Sequence, residues 1–200
     1  MITVNLKTYS PPPVCEKEAL RYMGVRGEDE ELRTLVSTCI AEAHSVLSYN
    51  LCYCEVPIRI SEDTVDFGFA SVRSRGLRAQ LCGCHSAIIF AATVGIGIDR
   101  LIAKSAISSQ VRELAFSAIG TERIEALCEQ FCNEKKGELE ALGMGLRNRF
   151  SPGYSDLPLA FQKDIFAVLG CSKSIGLSLN ESLLMTPKKS VTAIVGIYNL

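Results

Sequence analysis

The eight residues Ala87-Ile88-Ile89-Phe90-Ala91-Ala92-Thr93-Val94 form an unbroken apolar run of strand length. Such a run reads as the most buried strand of a sheet. A neighbour for it lies upstream, where Cys52, Cys54, Val56, Ile58 and Ile60 alternate with Tyr53, Glu55, Pro57 and Arg59. A period of two gives that segment one buried face. Pro57, with no N–H to donate, predicts an edge strand or a bulge. Residues 65–72 read as a second strand of a hairpin. A helix is expected over residues 28–49, with Leu32, Leu35, Val36, Cys39, Ile40, Ala43, Val46 and Leu47 at helical spacing. Glu28, Asp29, Glu30 and Glu31 crowd its first turn, where the helix dipole favours anions.

The other segments fit the same plan. Residues 2–6 alternate weakly, as a short strand would. Pro11-Pro12-Pro13 forces an extended path into a short helix over 15–23, which Gly24 stops. Ser74 is suited to cap a short helix running to Leu81. Gly95-Ile96-Gly97 turns the chain into two helical pieces, 99–107 and 109–136, and Gly143 and Gly145 close that region. Residues 159–169 give a further helix, with Phe161, Ile165, Phe166 and Leu169 on one side. The tail, 174–198, holds two or three strands broken at Asn180 and at Pro187-Lys188-Lys189. Helices and strands mix without a βαβ rhythm. The expected class is therefore α+β, a mainly antiparallel twisted sheet with flanking helices. The 200 residues are expected to form one unit, with 1–95 and 96–200 as its two parts.

Composition narrows the function. A net charge of −1 gives no field that would draw nucleic acid or an anionic membrane. No apolar run approaches the roughly 20 residues of a membrane span. Met1-Ile2-Thr3-Val4-Asn5-Leu6-Lys7 has no basic stretch followed by an apolar one, so no secretory signal is read and a cytoplasmic location is expected. Nine cysteines, an odd number, argue for reduced thiols.

Several constellations have competing readings. Gly95-Ile96-Gly97 invites a dinucleotide loop, but Arg100 stands where the third glycine belongs, and a plain strand-to-helix turn is the better reading. Cys52, Cys54, Cys82, Cys84 and His85 could together hold a metal. Their one-residue spacing is not the two-residue knuckle of common zinc sites, and burial as small hydrophobes is favoured. Cys82, Cys84 and His85 remain the alternative metal set. Cys128 and Cys132 are one helical turn apart, where packing is again favoured. His44 reads as a surface histidine.

Arg149-Phe150-Ser151-Pro152-Gly153-Tyr154-Ser155-Asp156-Leu157-Pro158 is different in kind. Arg149 presents a rigid fork of donors suited to a carboxylate. Gly153 permits close backbone approach, and Tyr154 adds a ring and a hydroxyl. Pro152 and Pro158 stiffen the loop and so lower the entropic cost of binding. From chemistry alone, a carboxylate site and a tight turn with a surface ion pair are equally good readings.

The same loop, with Pro158, resembles the Arg-x-x-Pro-Gly-Tyr-x-x-x-Pro motif of the activation (reactivation) domain of cobalamin-dependent methionine synthase. Ile175-Gly176-Leu177-x-Leu179-Asn180-Glu181-Ser182 and Met185-x-Pro187-x-x-Ser190-Val191 are similar to two further motifs of that family, in the same order. Thr121-Glu122-Arg123-Ile124-Glu125-Ala126 is similar, more loosely, to a helical segment upstream. Thr186 and Lys188-Lys189 depart from the family, which has a Trp and small residues there.

The resemblance implies a fold and a role. The fold would be that of the activation domain, here as a free-standing protein. It would bind S-adenosylmethionine and support reductive methylation of cob(II)alamin, held by a separate cobalamin-dependent methionine synthase that lacks an activation domain. A flavodoxin-like or iron–sulfur donor would supply the electron. By motif, Arg149 would grip the methionyl carboxylate, Ser151 and Gly153 backbone would line the ligand, Tyr154 would touch it, and Glu125 would meet the ribose or amine. No catalytic group of the chain's own is implied. The contrasting reading is a thiol-based metal- or corrinoid-handling protein built on Cys82, Cys84 and His85.

Overall fold

A computed structural model describes residues 2–27 and 29–200. The chain opens with strand β1 (Asn5–Tyr9) and crosses Pro11-Pro12-Pro13 into helix α1 (Glu16–Tyr22). Helix α2 (Glu30–His44) follows. The Asp29 side chain accepts from the Leu32 amide at its N-terminus, so one of the expected first-turn acids is the cap itself. The expected start at Glu28 lies outside the described residues. The helix also ends at His44 rather than Tyr49. Val46 and Leu47 continue its apolar stripe, but the Ser48 amide already donates to the Val94 carbonyl and Tyr49 is already paired in the sheet.

Strand β2 (Tyr49–Pro57) leads to three short strands, β3 (Arg59–Ile60), β4 (Thr64–Asp66) and β5 (Ser71–Arg73), which form their own small sheet. Helix α3 (Arg75–Gln80) is capped by the Ser74 hydroxyl, which accepts from the Leu77 amide. Strand β6 (Cys84–Thr93) contains all of the apolar run but Val94 and is buried from Ser86 onward. Helices α4 (Ile96–Ser108) and α5 (Gln110–Glu140) come next, and Ser109 caps the second. Strand β7 (Met144–Leu146), the loop, a 3-10 turn (Leu159–Phe161) and helices α6 (Gln162–Leu169) and α7 (Cys171–Ile175) complete the middle of the chain. Two-residue strands β8 (Ser178–Leu179) and β9 (Met185–Thr186) precede the last strand, β10 (Ser190–Asn199).

The main sheet has the order β1-β2-β6-β10-β7, and every pairing between described strands is antiparallel. The apolar run is thus the central strand, as its composition requires. Both faces of the sheet are covered. On one face Leu51, Ile88, Phe90, Ala193 and Val195 pack under α1, α2, α4 and α5. On the other, Cys52, Cys54, Ile89, Ala91 and Ile194 pack under α3, α6, α7 and the small sheet. Strand β2 therefore buries Leu51 as well as Cys52, not a single face. It is also not an edge strand. Pro57 is tolerated because β1 pairs only with Tyr49–Tyr53, so no partner on that side needs its missing N–H.

Gly95-Ile96-Gly97 serves packing. Gly95 takes φ +84° to make the turn, and a Cβ on Gly97 would run into the Val46 backbone carbonyl. Among the described residues no helix is long and apolar enough to cross a membrane.

Candidate functional site

Residues 144–150 run along β10 at the sheet edge. Strand β7 pairs with Ile197–Asn199, Arg147 donates its amide to the Gly196 carbonyl, and Phe150 exchanges two hydrogen bonds of 2.9 Å with Ile194. Side chains alternate across such an edge. Arg149 turns toward α5, while Phe150 turns toward α3 and packs with the opposite core.

The loop beyond is tied down at several points. The Gly153 amide donates to the Leu157 carbonyl, Tyr154 to Ser151 and Leu157 to Tyr154, each at about 3 Å (2.9, 3.0 and 3.0 Å). Gly153 has φ +87°, a conformation that favours glycine, and Leu157 is buried. Asp156 makes the longest-range tie. Its carboxylate accepts from the Ser74 hydroxyl at 2.5 Å and from the Arg75 and Gly76 amides at 2.7 and 3.0 Å. These hydrogen bonds, the Ser74 bond foremost, hold its carboxyl below the usual carboxylate range.

With the loop fixed, Arg149 meets Glu125 on α5, Nη2 to Oε2 at 2.7 Å. Burial works against the charged guanidinium, but the hydrogen bond to Glu125 and the charge interactions around it together hold its pKa above the ordinary value. Beneath the pair lie two thiols on the same helix. Burial pushes Cys128 well up and Cys132 up to about 11, so both are neutral at physiological pH. The fork of Arg149 therefore meets one carboxylate and a neutral floor.

Two adjoining cavities share this ion pair. One, of about 670 Å³, lies between α1, α5 and β7 and is lined by Pro13, Cys15, Tyr22, Glu122, Glu129 and Arg147, among others. The other, of about 430 Å³, is lined by Ser151, Tyr154 and Val191. Glu125, Asn148 and Arg149 line both. Each volume falls within the roughly 300–1,000 Å³ of small-molecule sites. Tyr154 is 71% exposed and meets Phe150 edge-on at 6.2 Å, which leaves most of its ring free to cover a ligand.

Four of the five expected binding residues, Arg149, Ser151, Tyr154 and Glu125, thus come together around one cleft. Gly153 supports the turn behind it and is not among the lining residues. The loop satisfies both readings of its sequence, being a tight turn with an ion pair and also the wall of a cavity. Sequence reasoning missed Asn148, which carries no distinguishing pattern, and gave no site role to Val191, although it ends the Met185-x-Pro187-x-x-Ser190-Val191 segment. It also missed the anchoring role of Asp156, whose partners lie 80 or more residues away.

The large cavity has a second fixed wall. Arg123 and Glu122, 1% and 4% exposed, form a buried ion pair on α5. Arg123 also donates to the Pro12 and Pro13 carbonyls at 2.7 and 2.8 Å, and Glu122 accepts the Cys15 amide at 3.1 Å. The proline segment is thereby strapped across α5.

The thiols do not assemble as a pooled metal set. Cys52 and Cys54 are buried under α6 and α7, in one cluster with Cys171, and burial pushes Cys54 up to about 11. Cys82 and His85 are exposed and Cys84 is half-buried. Among the described residues no three His, Cys, Asp or Glu side chains are grouped to hold a metal ion. The alternative set Cys82, Cys84 and His85 is not brought together as a cluster among the described residues. The cause is strand geometry, which sends Cys84 and His85 to opposite faces of β6.

No protein-family model matches the chain, and no curated protein matches it in sequence. Solved structures do: thirteen chains match its fold. One is a crystal structure of the MetH reactivation domain bound to AdoHcy. It superposes with a TM-score of 0.72 at 15% identity, covering 98% of this chain and 78% of that one. The chain therefore has the MetH reactivation-domain fold, a curled antiparallel sheet flanked by helices.

Proposed function

We propose that this chain binds S-adenosylmethionine in the cleft around Arg149 and supports the reductive reactivation of a corrinoid cofactor carried by a cobalamin-dependent methionine synthase. The observation that carries the reading is the convergence of Arg149, Ser151, Tyr154 and Glu125 on one cavity wall, in a fold shared with a domain that binds AdoHcy. Arg149 would take the methionyl carboxylate, Glu125 the amine or ribose, Ser151 the ligand's edge, and Tyr154 its exposed side.

The fit is chemical as well as spatial. The sulfonium carries its own electrophilic methyl and the reduced cobalt its own nucleophilic electron pair, so the chain is asked for placement rather than acid–base work. The cleft supplies placement: a loop fixed from both sides, a guanidinium fork and two neutral thiols beneath it. The role is accessory, acting on a methionine synthase without an activation domain of its own and using a flavodoxin-like or iron–sulfur electron donor. The cytoplasm, where thiols stay reduced, is the compartment we assign.

Titration calorimetry with S-adenosylmethionine and S-adenosylhomocysteine tests the site. Wild type is expected to bind both, and Arg149→Ala to lose about 1.5–3 kcal/mol, the worth of a hydrogen bond to a charged group. No binding by wild type, or equal binding by both proteins, would overturn the assignment.

A further inference from the structure

Arg149 already holds a carboxylate. Its Nη2 lies 2.7 Å from Glu125 Oε2, and both side chains line both cavities. A ligand carboxylate that takes Nη2 must displace this one.

We infer that Glu125 is an internal occupant of the carboxylate position on Arg149, and that its displacement makes the cleft selective for zwitterionic α-amino-acid ends over plain carboxylates. Only the identity of the ligand's remainder rests on the function proposed above.

The backbone on both sides is fixed, so exchange needs only a side-chain rotation. Arg149 is carried by a segment bonded to β10 through Phe150. Glu125 stands on α5 between the buried Arg123 and the buried Cys128. The pair itself is loose, with side chains 29% and 42% exposed, and ion pairs of that exposure contribute little net free energy. Once displaced, Glu125 remains beside Arg149. In an α-amino acid the ammonium sits on the carbon next to the carboxylate. A ligand whose carboxylate takes Arg149 therefore brings its ammonium to the freed Glu125, and two ion pairs replace one. A plain carboxylate displaces Glu125 and returns nothing to it. Glu129 is the natural control. It lies one turn along α5 in the wall of the larger cavity with the same charge, and it is not paired with Arg149.

The test titrates L-methionine and its deaminated acid, 4-(methylsulfanyl)butanoate, into wild type, Glu125→Gln and Glu129→Gln. The guanidinium NMR signal of Arg149 is the readout. Wild type is expected to prefer L-methionine. Glu125→Gln should bind the deaminated acid about three- to fivefold more tightly than wild type does, and the preference for L-methionine should narrow. Glu129→Gln should behave as wild type. Equal binding of the deaminated acid by wild type and Glu125→Gln overturns the inference, as does a gain in Glu129→Gln that matches Glu125→Gln. A parallel titration with S-adenosylhomocysteine separates the two readings. If it does not bind while the amino-acid preference holds, the ligand assignment falls and the role of Glu125 stands.

Discussion

Asp156 lies on the loop of the cleft but caps α3 from 80 residues away. Its folded pKa is lowered by the Ser74 hydroxyl first and then by the Arg75 and Gly76 amides. A lowered carboxylate pKa favours folding above the unfolded value, about 3.9, and that contribution is lost as pH falls through the folded value. Asp156→Asn should therefore be less stable than wild type at neutral pH, and the two denaturation midpoints should converge as pH drops below about 3.9. Urea titrations of both proteins across that range would show it. Nothing in the local sequence announces this tie. Arg149 was legible because a fork of donors beside glycine, proline and tyrosine has few uses. Its pairing with Glu125, and the capture of α3 by Asp156, depend on how distant elements meet.

At the scale of elements, the sequence was most informative where local chemistry decides. Ser74 caps as its position suggests, and all of the 87–94 run but Val94 lies in the central strand of the sheet. It was least informative where a neighbour decides. The stripe of α2 runs on to Leu47, yet the helix ends at His44 and sheet pairing takes over at Tyr49. Pro57 read as an edge, and only the shortness of β1 makes that true locally. Helix α5 shows the same division, because its spacing predicts an amphipathic helix but not the buried Glu122–Arg123 pair that straps Pro12 and Pro13 across it. Removing one partner of a buried pair leaves the other uncompensated. Arg123→Ala is expected to cost about 3–5 kcal/mol, read from the shift in the urea midpoint.

Across the whole molecule, strands from both ends of the chain share one sheet. Strands β1, β2 and β6 come from the first 95 residues, and β10 and β7 from the rest, so we regard the chain as one folding unit. The loop passes from one side of this sheet to the other at its edge. Arg149 faces the α5 layer, and Phe150 and Asp156 face the α3 layer. A change in mobility on one side is therefore written into the solvent exchange of backbone hydrogens on the other. The Arg75 and Gly76 amides, which touch neither cavity, donate to Asp156 and report how often the loop lifts. Saturating S-adenosylhomocysteine should slow their deuterium uptake in hydrogen-exchange mass spectrometry, and Asp156→Asn should abolish that protection. The cleft would then be read from the far face of the protein, by a clock that its own anchor sets.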